Sequence, residues 1–323
     1  LNALARWMMP WRDTPRYTFA QIGDLPEQLV VPYAEPFSVT ATVAEQSPWK
    51  PDQATARFGA EGQVAAELHD GEYAFQLPPQ READALRVTV GDARHETQVR
   101  PTTRPELTEL NARVRLPDYL ERGQELVKDI RGGWGSFLKT SQVVFEATAT
   151  RTLAEGWMDN QAVPVAEARL TTPPLDVFES SEHELSWQDR LGLSAKESFR
   201  VSIHAVDDAP PSLACTQLSR EQVLLVDDLL KFQVLATDDF GVKSLGLEWQ
   251  GIEDPLRNPH PSRGEKMVAA GGPELTDLDA QVTFSAALEN VPPQSLEIRL
   301  FVVDYLPDRP RVFSPSFVVH VLS

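Results

Sequence analysis

The pattern Phe-x-(Val/Ala)-x-Ala-Thr occurs three times in this chain, as FSVTAT at 37–42, FEATAT at 145–150 and FQVLAT at 232–237. In an extended strand alternate residues share a face, so in each copy the first, third and fifth residues point the same way. A sheet with one apolar face must pack that face against a second layer. A second pattern follows each copy: ALRVTVGD at 85–92, SFRVSIHAVDD at 198–208 and LEIRLFVVDY at 296–305, each an alternating strand ending near an aspartate. The first two run into proline-rich segments, RPTTRPEL at 100–107 and DDAPPSL at 207–213, which read as linkers. Two patterns repeated in the same order at similar spacing predict units of roughly 100 residues, the size of an immunoglobulin-like β-sandwich.

The expected fold is therefore all-β, with three tandem immunoglobulin-like sandwiches at 15–104, 105–209 and 210–323. A short helical stub is expected over 1–14 (LNALARWMMPWRDT), and a helix is also compatible with residues around 118–128. Two tight hairpins stand out. One runs from Leu68 through Asp70-Gly71 to Tyr73, Phe75 and Leu77, and the other from Leu86, Val88 and Val90 through Gly91-Asp92 towards Thr97 and Val99. A hydrophobic fraction of 41% across 323 residues is globular, and no run approaches the roughly 18 apolar residues of a membrane span. The 48 acidic against 30 basic residues give a net charge of -18, which repels phosphate backbones and argues against nucleic acid as a partner. Cys215 is the sole cysteine, so an intrachain disulfide and a thiolate zinc site are both excluded.

Residues 236–251 read ATDDFGVKSLGLEWQG and contain the Asp-Phe-Gly that holds magnesium in protein kinases. The remaining kinase parts are missing: no Gly-rich loop precedes a Val-Ala-x-Lys strand, and His204-Ala205-Val206-Asp207 is a poor match to the catalytic loop. Asp238 and Asp239 fall where the first copy has Val43 and Ala44 and the second Arg151 and Thr152, so they lie outside the repeated framework. Strand-like residues flank them, Leu230, Phe232, Val234 and Ala236 on one side and Leu245, Leu247 and Trp249 on the other. The favoured reading is a hairpin in which an aspartate caps its own turn and Gly241 takes a left-handed backbone. The competing reading is calcium. Asp207-Asp208-Ala209-Pro210 resembles the acidic Asp-x-Asn-Asp-x-Ala-Pro linker of cadherins, although the Asn is absent and the linker near Pro101 has no matching acids. Calcium needs six to eight oxygens. The candidate ligands are Asp207, Asp208, Asp238 and Asp239, with Asp227, Asp228 or Asp304 as additional donors.

Other chemistry is sparse. The histidines, His69, His95, His183, His204, His260 and His320, form no i, i+4 pair, and His183-Glu184 lacks the second His of a zincin. There is no Gly-x-Ser-x-Gly elbow, and Gly132-Gly133-Trp134-Gly135-Ser136 lacks the Lys-Ser/Thr of a P-loop, so that run reads as a loop. Acid pairs for glycoside hydrolysis can be chosen almost anywhere among 48 acids and so have no weight. Trp187 and Trp249 lie in strand pattern and are assigned to cores. Trp134, in the glycine loop, and Trp157, beside Gly156, are candidates for stacking on a sugar or a partner, with Arg131 nearby in sequence; packing is the blander reading of both.

The segments PWRDTPRYTF (10–19), VRLPDYLERG (114–123), GSFLKTSQVVFEATATRTLAEG (135–156), PPSLACTQL (210–218), VLATDDFGV (234–242) and VVDYLPDRPRVFSP (302–315) carry a resemblance. The chain is similar to a family of large, membrane-anchored bacterial proteins of unknown function with tandem extracytoplasmic immunoglobulin-like domains followed by a long coiled-coil region. The resemblance implies an envelope location and an anchoring helix upstream of Leu1, with ALARWMMPW as the juxtamembrane stub; it brings no catalytic residues. The expectation is a non-enzymatic extracytoplasmic spacer or interaction segment whose partners are other envelope proteins, tethered to the membrane only through an anchor outside residues 1–323. It needs no cofactor, calcium apart. The rival readings are a glycan- or peptide-binding module using Arg131, Trp134 and Trp157, and a hydrolase, for which only the abundance of acids speaks.

Overall fold

The computed structural model describes residues 18–23, 25–60, 62–216, 218–254, 258 and 260–323. The helical stub expected over 1–14 lies outside them. The described residues form strands in five sheets, and the one helical element among them is a 3-10 turn, Asp118–Leu120. No helix in them is long and apolar enough to cross a membrane. The chain folds as two compact units. One comprises the residues up to Glu109 with Ala147–Thr171 and Glu184–Arg200; the other comprises Leu110–Glu146, Thr172–His183 and Val201–Ser323.

In the first unit a seven-stranded sheet runs in the order Gln28–Pro32, Ala93–Thr102, Asp84–Val90, Gln53–Phe58, Gln63–His69, Glu72–Leu77, Phe37–Thr42. Only the first pairing is parallel, Gln28 opposite Gln98. Gln63–His69 exchanges partners along its length: Gln63 to Glu67 pair with Arg57 to Gln53, then Leu68 and His69 pair with Tyr73 and Glu72. That exchange lets one sheet supply both layers around one core. The core gathers the alternate residues Phe37, Val39 and Ala41, Ala54, Ala56 and Phe58, Tyr73, Phe75 and Leu77, and Leu86, Val88 and Val90. Both expected hairpins form. Asp70 (φ 49°) and Gly71 (φ 88°) make the first turn, and Gly91 (φ 58°) opens the second. In the same unit Leu153–Met158 pairs antiparallel with Gln161–Ala162 and with the end of Ser181–Asp189, and Val165–Ala166 pairs with Arg169–Thr171.

The second unit contains a three-stranded sheet, Ser212–Thr216, Leu230–Thr237, Asp277–Phe284. Its companion is a sheet in the order Glu221–Leu225, Phe317–Leu322, Ser295–Val303, Ser244–Gly251, Arg263–Ala270, with Val312–Phe313 added to Ser295–Val303. Consecutive edge segments, Ser212–Thr216 and Glu221–Leu225, join different sheets, and the second runs parallel to the last strand with Glu221 opposite Val318. Phe232, Val234 and Ala236 face Leu245, Leu247, Trp249, Ile298 and Leu300 in one core. Trp249 meets Phe284 of the opposing sheet edge-on, with ring centroids 5.6 Å apart. A split edge strand, two facing antiparallel sheets and a buried Trp on the strand after the crossover are the features of an immunoglobulin-like sandwich. Elsewhere in this unit Leu126–Asp129 pairs with Asn111 to Val114, and Trp134–Leu138 runs parallel to Phe199–Val206.

Four sequence expectations change. Residues 118–128 are not a helix: the 3-10 turn ends at Glu121, whose φ of 53° breaks the helical path, and Leu126–Asp129 is a strand. Asp238 to Lys243 do not close a hairpin, because Leu230–Thr237 and Ser244–Gly251 belong to different sheets and the segment crosses between layers. Trp134 and Ser136 lie in a strand and not in a glycine loop, the turn being confined to the residues before them. The first linker is shorter than RPTTRPEL, since Arg100 to Thr102 still pair with Val30 to Pro32.

Candidate functional site

Leu230–Thr237 delivers Asp238 to the end of the sandwich, where its N–H donates to Thr276 O at 2.9 Å. Asp238 Oδ2 accepts the backbone N–H groups of Phe240 (3.1 Å) and Gly241 (2.9 Å), so the aspartate caps its own turn as its position predicts. Gly241 has φ 138°, and a Cβ there would lie 2.7 Å from Gly272 O, which makes this a position for glycine alone. Arg122, just past the 3-10 turn, donates from Nη2 to Phe240 O of this loop and from Nε to Pro273 O of the neighbouring connection, both at 2.6 Å.

The segment leading into Ser212–Thr216 joins this loop. Asp208 is buried; its Oδ2 accepts Tyr119 OH at 2.9 Å and its Oδ1 faces Arg309 Nη1 at 3.0 Å. Arg309 also binds Asp304 Oδ2, Asp208 O and Ala209 O, so one guanidinium holds two carboxylates and two carbonyls. Its side chain is 13% exposed, against 4% and 3% for Asp208 and Asp304. Asp208, Asp238 and Asp239 each bring a carboxylate oxygen into one group within 4.8 Å. Asp239 is exposed; Asp238 is 9% exposed, and its Oδ1 is buried without a hydrogen-bond partner.

Burial pushes the Asp208 carboxyl above the ordinary carboxylate range; the Tyr119 hydroxyl and Arg309 oppose this, while the charges of Asp304 and Asp239 add to it. Asp238 is raised by burial against the pull of the Gly241 and Phe240 N–H groups, again with Asp304 and Asp239 adding to the shift. Burial and the bond to Asp208 push the Tyr119 hydroxyl well up, which keeps it a proton donor.

Of the four candidate calcium ligands, the structure brings three together. Asp207 instead pairs with Lys139 at 2.7 Å, and its side chain is largely exposed where that of Asp208 is buried. Asp228 caps a separate turn by accepting Leu225 N–H, and Asp304 enters through Arg309. Sequence reasoning missed Tyr119, Arg122 and Arg309, which sit in VRLPDYLERG and VVDYLPDRPRVFSP, two of the segments that carry the resemblance.

The candidate binding residues are placed differently. Trp134 is 61% exposed and meets His204 edge-on at 6.2 Å. Arg131 is folded back on Asp129, with Nη2 at 2.7 Å from Oδ2. Trp157 is half-buried in Leu153–Met158, opposite Ala162 and Ser186, in the other unit. Trp187 and Trp249 are buried, as assigned. Ser295, His320 and Glu221 form a hydrogen-bonded row of 2.8 and 2.9 Å along neighbouring strands, but the Glu221 side chain is 73% exposed and cannot serve as the buried acid of a triad.

A second polar cluster surrounds residues 103–105 in the first unit. Arg151 donates to Thr103 O and lies 2.8 Å from Asp189, whose side chain is 1% exposed. Arg104 grips Glu35 at 3.0 Å and Ser194 O at 2.9 Å, and Trp187 Nε1 donates to Pro105 O at 3.1 Å.

No protein-family model matches the chain, and no curated protein does. Among solved structures it is similar to the Dpr2 Ig1-Ig2 complex with DIP-Theta Ig1-Ig3, at 8% identity over 94% of this chain and 99% of that one, with a TM-score of 0.26. Invasin, a bacterial integrin-binding protein, matches at 10% identity over 94% of this chain and 59% of its own, TM-score 0.26. The fibronectin(III)-like modules of Clostridium thermocellum CbhA match at 13% identity over 58% and 88%, TM-score 0.22.

Proposed function

We propose that this chain is a non-enzymatic spacer and interaction segment, built from three immunoglobulin-like sandwiches at 15–104, 105–209 and 210–323, whose joints are stiffened to present a surface to other proteins. The observation that carries the reading is the treatment of the two joints. Each proline-containing connection is tied by buried or half-buried polar side chains to distant parts of the chain: Arg151 and Trp187 reach 103–105, from which Arg104 reaches Ser194 O, and Arg309, Tyr119 and Lys139 reach 207–209. Fixing a connection costs chain entropy, and a flexible tether needs no such contacts. The resemblance supplies the setting, an extracytoplasmic, membrane-anchored protein of the bacterial envelope with other envelope proteins as partners. Pull-down of the membrane-anchored protein from envelope extracts tests the role directly. A specific partner should be recovered with the intact protein and lost when residues 108–323 are deleted; identical recovery from both would overturn the reading.

A second reading is favoured by one observation, the exposed Trp134 stacked edge-on with His204 beside a shallow depression lined by Lys128, Gly132 and Ser136. It is a glycan- or peptide-binding module centred on Trp134, with Arg131, just before the strand that begins there, as a further contact. Loss of glycan-array signal in Trp134→Ala would support it, and an array without hits would remove it.

A further inference from the structure

We propose that Asp208, Asp238 and Asp239 hold a divalent cation, calcium by their chemistry, at the joint where residues 207–209 meet the Asp238 turn. Three carboxylates with oxygens within 4.8 Å repel one another unless a positive charge lies among them. The positive charge present does not suffice. Asp208, Asp238, Asp239 and Asp304 form one group, and the guanidinium paired with its carboxylates is that of Arg309, on Asp208 and Asp304; Arg122 binds the carbonyls of Phe240 and Pro273. Four carboxylates against one paired guanidinium leave surplus negative charge that a divalent cation would offset.

A separate observation points to the ligand. Asp238 is 9% exposed, and of its two oxygens only Oδ2 is used by the turn; Oδ1 is buried with no partner. A buried carboxylate oxygen left bare costs on the order of 1–3 kcal/mol, and a metal ion removes that cost. Asp208 can take part while bound to Tyr119 and Arg309, since its two oxygens offer about four lone-pair sites and these partners use two. Asp239 is exposed and gives the ion a path from solvent. An all-carboxylate donor set suits a hard ion that tolerates irregular coordination, which favours calcium over magnesium. This site does not depend on the spacer reading.

The test is calorimetric titration of the chelator-treated chain with calcium chloride. One saturable site is expected, with a Kd of roughly 0.1–1 mM. Asp239→Asn, an exposed and structurally mild change, should weaken it at least about tenfold. Asp238→Asn keeps one oxygen to cap the turn and should abolish binding by removing the other. Tyr119→Phe should retain it. Absence of saturable heat up to about 10 mM calcium, or undiminished binding in Asp239→Asn, overturns the proposal.

Discussion

The two gripped connections use the same device with different charge balance. At 103–105 two arginines, Arg104 and Arg151, face two acids, Glu35 and Asp189, and Trp187 adds a neutral hydrogen bond. At 207–209 Arg309 pairs with Asp208 and Asp304, and Asp238 and Asp239 lie in the same acidic group. The first grip balances two positive charges against two negative ones. The second holds its backbone through Arg309 but retains surplus negative charge. Backbone fixation and charge balance are thus separable properties, and the two connections differ in the second.

The largest effect that can break this comparison is loss of a central arginine. Arg309→Ala strands two buried carboxylates and should cost about 3–5 kcal/mol in denaturant unfolding. Arg151→Ala strands only Asp189, whose Oδ1 keeps the Leu191 and Leu193 N–H bonds, so a loss of about 3 kcal/mol or less is expected. Equal costs would mean that the surplus acid does not matter. Trp187→Phe, which leaves Pro105 O without its indole donor, should cost about 1 kcal/mol by the same measurement.

Acidity sharpens the contrast. In cation-free protein the folded-state pKa values of Asp208 and Asp238 are raised, so their protonated forms are favoured on folding. Their contribution to stability is therefore full below the ordinary value of 3.8 and is lost as pH rises through the raised values. The stability of the parent relative to Asp238→Asn should fall as pH is raised from acid towards neutral, as followed by melting temperature. A flat difference would contradict the crowding described for this joint. Glu265, lowered by its bond to Arg311, has the opposite sign and should be matched in both proteins. The smallest effect belongs to Asp239→Asn. Relief of repulsion at this exposed position should raise calcium-free stability by a few tenths, roughly 0.3 kcal/mol.

Most of the fold was legible because it rests on local alternation. Phe37, Val39 and Ala41, Phe145, Ala147 and Ala149, and Phe232, Val234 and Ala236 are all buried, as a two-residue period requires. Asp70-Gly71 and the cap by Asp238 are equally local, a matter of side chain and backbone within three residues. What failed needed knowledge of the other layer. Asp238 to Lys243 read as a hairpin because a turn between two apolar strands looks the same whether the second strand joins the same sheet or the opposite one. Residues 118–128 mix apolar and charged residues in a helix-compatible way, yet pairing of Leu126–Asp129 with Asn111 to Val114 decides their conformation. The site was half visible. The acids announced themselves by clustering, whereas Arg309 and Tyr119 reach Asp208 across 101 and 89 residues, a distance no spacing rule reveals.

The claim that the second joint is mechanically fixed can be measured as a distance distribution between spin labels. In a Cys215→Ser background, Val127→Cys and Leu288→Cys place labels at exposed positions in the second unit. One narrow distribution is predicted for this protein, with clear broadening when Arg122→Ala and Arg309→Ala are added. A broad distribution in the starting protein, or a narrow one that survives loss of both arginines, would contradict the gripped joint.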